Sequence, residues 1–128
     1  MATAWVQKHD FSAVELGELS EAELFAAFDN VDWRAELSRY NEDDPKACCA
    51  PGFGIILGAN ILHMCPHDTN SMFFNLHYET ETRFLYFIPM KRKTTHYVES
   101  YPLIHAHKLI SHFMASDLRS IIGLPRQS

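Results

Sequence analysis

The clearest pattern in the chain runs from residue 72 to residue 79, where Met72, Phe74, Leu76 and Tyr78 interleave with Phe73, Asn75, His77 and Glu79. Successive side chains of a strand point to opposite faces, so this alternation predicts a strand with one buried face and one open face. Two apolar runs precede it, Phe53-Gly54-Ile55-Ile56-Leu57 and Ile61-Leu62-His63-Met64-Cys65, joined through Gly58-Ala59-Asn60. They predict two strands and a tight connection. Residues 83–90 and 94–98 flank Lys91-Arg92-Lys93, which predicts a further hairpin with a basic tip. Four or five consecutive strands without a long crossover helix make an antiparallel meander.

On either side of this region the period lengthens to that of a helix. Ser20-Glu21-Ala22-Glu23 has capping-box spacing, Leu19 and Leu24 are placed for a hydrophobic staple, and Leu24, Phe25, Phe28 and Val31 recur on one helical face. Asp32 is placed to cap a second short helix through Tyr40, which ends in the polar loop Asn41-Glu42-Asp43-Asp44-Pro45. Near the other end Leu103, His107, Ile110, Met114 and Leu118 repeat at three- and four-residue steps, with Ser116-Asp117 dividing the helix and Gly123 with Pro125 stopping it. The expected fold is α+β: N-terminal helices, a four- to five-stranded antiparallel meander sheet, and a C-terminal helix packed on one face. Residues 1–128 form a single globular domain in this reading.

Composition narrows the function classes. A 47% apolar, 12% aromatic chain of 128 residues can bury a core and does not read as a disordered acidic tail. Its charge is lopsided. Residues 1–44 hold eleven carboxylates against three Lys and Arg, a net −8, whereas the remainder holds five against eight, a net +3. That field disfavours nucleic acid, for which a single basic triplet is a poor surface. Three cysteines, two of them the neighbours Cys48 and Cys49, make a poor disulfide framework, and neither a secretory signal nor a membrane-length apolar run is visible. A cytoplasmic setting is expected.

Candidate chemistry is sparse. His63, Cys65 and His67 alternate along one predicted strand and could offer a soft metal three ligands, which keeps a small metal-binding protein or enzyme as an alternative. Pro66 and the absence of CxxC or HExxH elements weigh against it. His105 and His107, two apart on a helix, do not face one another. No cysteine or serine sits in a nucleophile signature, and no glycine-rich phosphate loop is present, so no enzymatic activity and no cofactor are expected. What remains is the acidic helical segment, where Asp29, Asp32, Glu36, Asp43 and Asp44 surround Trp33 and Tyr40. Carboxylates beside large aromatics describe either a solvated helix face or a protein-binding patch with aromatic anchors.

Capped acidic helices before Asp32-Trp33, then a short-stranded meander, then a terminal helix: in this order of parts the chain resembles the small acidic immunity proteins of bacterial polymorphic toxin systems. The resemblance is to the general type rather than to one family. It implies a protein-binding inhibitor that occupies or blocks a toxin's basic active-site cleft, either as a substrate mimic or from beside the cleft. Asp29, Asp32, Glu36, Asp43 and Asp44 would then face the cleft, with Trp33 and Tyr40 as anchors. An effector chaperone or adaptor is the other alternative, and the sheet face bearing Asn75, His77 and Glu79 is the other candidate surface.

Overall fold

The computed structural model describes residues 1–10, 12–40, 51–68, 70–84 and 88–123. The expected polar loop at 41–45, Asp43, Asp44, Cys48 and Cys49, and the expected tail at 126–128 lie outside the described residues.

The chain is α+β, with a six-stranded antiparallel sheet and four helices. Two of the strands come from the N-terminal segment, for which the sequence pattern predicted no element. β1 (Ala2–Gln7) and β2 (Ala13–Leu19) form a hairpin that precedes α1 (Glu21–Asn30) and α2 (Trp33–Arg39). The meander follows as β3 (Gly52–Leu57), β4 (Asn60–Pro66), β5 (Ser71–Phe84) and β6 (Ile88–Pro102). Strand order across the sheet is β2-β1-β3-β4-β5-β6, so the chain leaves the sheet after β2, crosses it as two helices, and returns on the far side of β1. A 3-10 turn, Leu103–His105, then leads to α3 (Ala106–Met114) and α4 (Leu118–Ile122).

The local signals explain these boundaries. Ser20 and Glu23 form the capping box, with the Glu23 amide donating to Ser20 Oγ over 3.3 Å and the Ser20 amide donating to Glu23 Oε1 over 3.1 Å. Asp32 caps α2 by accepting from the Ala35 amide at 3.1 Å. Gly58, at φ +61°, opens the two-residue turn between Leu57 and Asn60, a backbone conformation that favours glycine. Ser116, at φ +58°, separates α3 from α4.

Two expectations need correction. Lys91-Arg92-Lys93 is not a hairpin tip: these residues lie within β6, paired with Glu81, Thr80 and Glu79 of β5. Glu79 and Lys93 stand as an opposite-charge cross-strand pair, which stabilises an antiparallel ladder, so the basic run is compatible with a strand interior. In the terminal helix the buried line is Ala106, Leu109, Ile110 and Phe113, with Leu103, Met114 and Leu118 flanking it, rather than a stripe through His107.

All four helices cover one face of the sheet. Leu24 and Phe28 of α1, Trp33 of α2, the α3 line and Ile121 of α4 join a single cluster with the inward residues of every strand except β2. Those inward residues are Ala2, Ala4 and Val6, then Phe53 and Ile55, Leu62 and Met64, Met72, Phe74 and Leu76, and Val98 with Tyr101. Phe53 meets Phe28 edge-on at 5.5 Å between ring centres, and Phe74 meets Tyr101 in the same way at 5.4 Å.

The opposite face carries its own contact. Trp5 lies over the backbone of Gly54, its cross-strand partner, so closely that a β-carbon at Gly54 would fall within the indole ring. Gly54→Ala should therefore destabilise the fold by about 1–3 kcal/mol, the usual range for overpacking. Trp5→Ala in the same chain should recover part of that loss, and denaturant unfolding of the single and double variants measures both.

Candidate functional site

The acidic segment is divided by its own tryptophan. Trp33 is buried, its indole N–H donates to the Phe28 carbonyl at 3.2 Å, and its ring packs 5.3 Å from that of Phe28. A large aromatic beside carboxylates reads as a surface anchor in sequence, but here the ring closes the core between α1 and α2. Tyr40, half-buried, ends α2 as its C-cap.

Two grooves flank the helices. The first lies between the N-terminal hairpin and α1–α2 and has a volume of about 480 Å³. Val6, Val14, Leu16, Ala27 and Val31 supply its apolar wall, while Lys8, Asp32 and Glu36 stand at its polar side. The second, between α1–α2 and the start of α3, has a similar volume and holds Asp29, His107 and the highly exposed Ile104. Asp32 and Glu36 thus share one groove, and Asp29 belongs to the other.

Each of these carboxylates also has a structural partner. Glu36 accepts from the His9 amide at 2.8 Å and lies 2.5 Å from His9 Nδ1, tying the β1–β2 turn to α2. Burial pushes the Glu36 carboxyl up, but the His9 hydrogen bonds and the nearby His9 and Lys8 charges outweigh it and hold it below its ordinary 4.5. Asp29 Oδ1 lies 2.8 Å from His107 Nε2, and the same imidazole stacks on Phe25 with ring centres 4.3 Å apart. Asp32, exposed, spends one oxygen on its helix cap.

The histidine and cysteine candidates separate. Cys65 is buried, with Sγ 3.6 Å from His63 Nε2, but His67 stands exposed beyond the end of β4 with its ring edge-on to Phe73. Among the described residues no three His, Cys, Asp or Glu side chains converge as a metal ligand set would require. His63 and Cys65 instead face away from the helices. Their neighbour on β3, Gly52, leaves the room they occupy, since a β-carbon there would lie 2.8 Å from both Cys65 Sγ and His63 Nε2.

This open face has a regular layout that the sequence alone does not reveal. Cross-strand pairing aligns Glu15, Trp5, Gly54, His63, Asn75 and Tyr97 in one row spanning all six strands. Trp5 stacks on His63 with ring centres 6.0 Å apart, Phe73 lies 6.0 Å from Tyr97, and His77 Nδ1 is 2.9 Å from Thr95 Oγ1. Ile56 on β3 and Tyr97 on β6 remain 37% and 45% exposed there.

No family model matches the chain, and no curated protein or solved structure matches it either. No helix among the described residues is long and apolar enough to cross a membrane.

The open face also sets a pH response. Burial, and then the proximity of His77, hold His63 below its ordinary 6.5. The unfolded chain therefore takes up this proton before the folded one, and the stability present above pH 6.5 declines as pH falls through that value. The paired carboxylates act lower, because Glu36 is depressed from 4.5 and withholds its contribution only in stronger acid. His63→Gln should flatten the first decline and leave the second, as read by denaturant midpoints measured across the acid range.

Proposed function

We propose that this protein is a protein-binding inhibitor that neutralises a bacterial toxin or effector in the cytoplasm, presenting its acidic helical side to a basic active-site cleft. The observation that carries this reading is the meeting of charge and apolar surface in the groove between the hairpin and α1–α2. Asp32 and Glu36 lie beside Val6, Val14, Leu16 and Val31. Such a groove can hold one apolar side chain of a partner while its carboxylates engage adjacent Lys or Arg. The anchor then comes from the partner and fills the groove, in place of a tryptophan projecting from this chain. Exposed Glu21 and Asp29 extend the negative field on the helical side and would speed encounter with a basic target.

The cap and the His9 contact dictate how the test is made. Charge reversal at Asp32 or Glu36 would damage α2 along with any interface, whereas Asp32→Asn keeps a capping oxygen and Glu36→Gln keeps an acceptor for the His9 amide. Asp29→Asn, Asp32→Asn and Glu36→Gln combined should slow association with the cognate toxin by about tenfold at low salt and reduce its salt dependence. Surface plasmon resonance at low and high ionic strength measures both. Unchanged association would remove the acidic helices from the interface.

A further inference from the structure

The open sheet face sets Ile56 and Ile61 at its centre among polar residues, and its cross-strand pattern is self-complementary. Beside the row that contains Trp5, pairing aligns a second row: Glu18, Thr3, Ile56, Ile61, His77 and Thr95. In both rows a carboxylate stands at the β2 edge and a hydroxyl at the β6 edge, and in the second row the middle position is a pair of isoleucines. Six strands place the midline of the sheet between β3 and β4, where Ile56 and Ile61 lie opposite one another.

We infer that this face packs against a second copy of the chain about a two-fold axis parallel to the strands and passing between β3 and β4. That operation lays β2 over β6 of the second copy, β1 over β5, and β3 over β4. Glu15 then meets the Tyr97 hydroxyl of the second copy, Glu18 meets its Thr95 hydroxyl with Lys93 one step further along β6, and Ile56 meets its Ile61. The Tyr97 hydroxyl can donate to Glu15, the Thr95 hydroxyl can donate to Glu18 in the tautomer whose His77 Nδ1 donates to Thr95 Oγ1, and the apolar pair lies at the axis where contact is closest. A two-fold axis in the same plane but perpendicular to the strands would instead set Glu15 and Glu18 against themselves, which like-charge repulsion disfavours. Face-to-face sheets separated by about 10 Å, with strands aligned to within about 30°, accommodate side chains of these sizes.

Strand spacing and row height give a footprint of roughly 500 Å² per copy, below the roughly 800 Å² per partner of a standard stable interface. The dimer is accordingly reversible and concentration-dependent. Both copies keep their helices on the outside, so the groove holding Asp32 and Glu36 stays accessible in each. The inference is therefore independent of the inhibitor reading.

Sedimentation equilibrium of the full chain from about 1 μM to about 1 mM tests it, a range that spans dissociation constants expected for so small a footprint. A monomer–dimer equilibrium is expected. Ile56→Lys and Glu18→Lys, both at exposed positions, should each weaken it by about tenfold or more, with folding checked by circular dichroism. Adding Thr95→Glu to Glu18→Lys should restore association by reversing the facing pair. A monomer throughout the range, or a dimer indifferent to Ile56→Lys and Glu18→Lys, overturns the proposal, and failure of Thr95→Glu to rescue overturns the strand-parallel axis. A monomer whose Ile56→Lys variant loses toxin binding overturns it in favour of the toxin as the occupant of this face.

Discussion

The pairing of β1 with β3 is the constraint on which the rest of this molecule depends. β1 is bonded to β2 through a short local turn and to β3 through a closure that joins Thr3 to Ile56 and Gln7 to Gly52. The second closure encloses both N-terminal helices and so carries the larger ordering entropy. Burial of Phe53, Ile55, Ala4 and Val6 under Leu24 and Phe28 offsets it. Once formed, it decides which side of the sheet the helices cross, because α1 and α2 must span from the outer edge of β2 back to β3. It also supplies one wall of the Asp32–Glu36 groove, since Val6 and Lys8 belong to β1 or its turn.

The same pairing explains why the outer face is neither bare nor filled. Glycine at 52 and 54 removes two side chains from the outer face of the first half of β3, and Trp5, His63 and Cys65 use the space. This small second cluster lies on the reverse of the sheet, where antiparallel architecture would tolerate polar residues. Desolvation there disfavours the charged form of His63, so the middle of the face stays uncharged near neutral pH. Glu15 and Glu18 stand at the β2 edge, and Glu99 and Lys93 on β6.

The sequence disclosed the parts whose burial is periodic and whose caps are chemical. The alternation from Met72 to Leu76, the Ser20–Glu23 box and the Asp32 cap each rest on contacts within a few residues, and each is present as read. The N-terminal hairpin was hidden because its inward positions are largely alanine: Ala2, Ala4 and Val6 alternate with Thr3, Trp5 and Gln7, but a strand lined by Ala carries little hydropathy contrast. Thr3-Trp5-Gln7 against Ala-Ala-Val was the available signal. Trp33 misled for the converse reason. Its neighbours in sequence are charged, while its neighbours in space, Phe28 above all, come from the preceding helix. The grooves and the cross-strand rows were not legible because they depend on strand order, and consecutive strands alone would have placed the helices outside the sheet's connectivity.

Strand order also joins the chain's acidic segment, residues 1–44, to the rest of the fold. The acidic segment contains β2, β1 and both N-terminal helices, yet β1 lies inside the sheet and the helices share a core with α3, so the charge boundary in sequence is no domain boundary in space. Carboxylates on that segment are held by partners in the fold: Glu23 by the Ser20 amide, Asp32 by the Ala35 amide, Glu36 by His9 and Asp29 by His107. Each contact fixes one oxygen or one lone pair and leaves the other oxygen's capacity unspent, since an ionised carboxylate accepts at several sites. A carboxylate positioned in this way binds a cation with less side-chain ordering than a free one, because its rotamer is already chosen by the fold. The structural contacts and the proposed interface therefore reinforce one another: the hydrogen bonds that hold the acidic helices in place also hold their remaining oxygens ready for a basic partner.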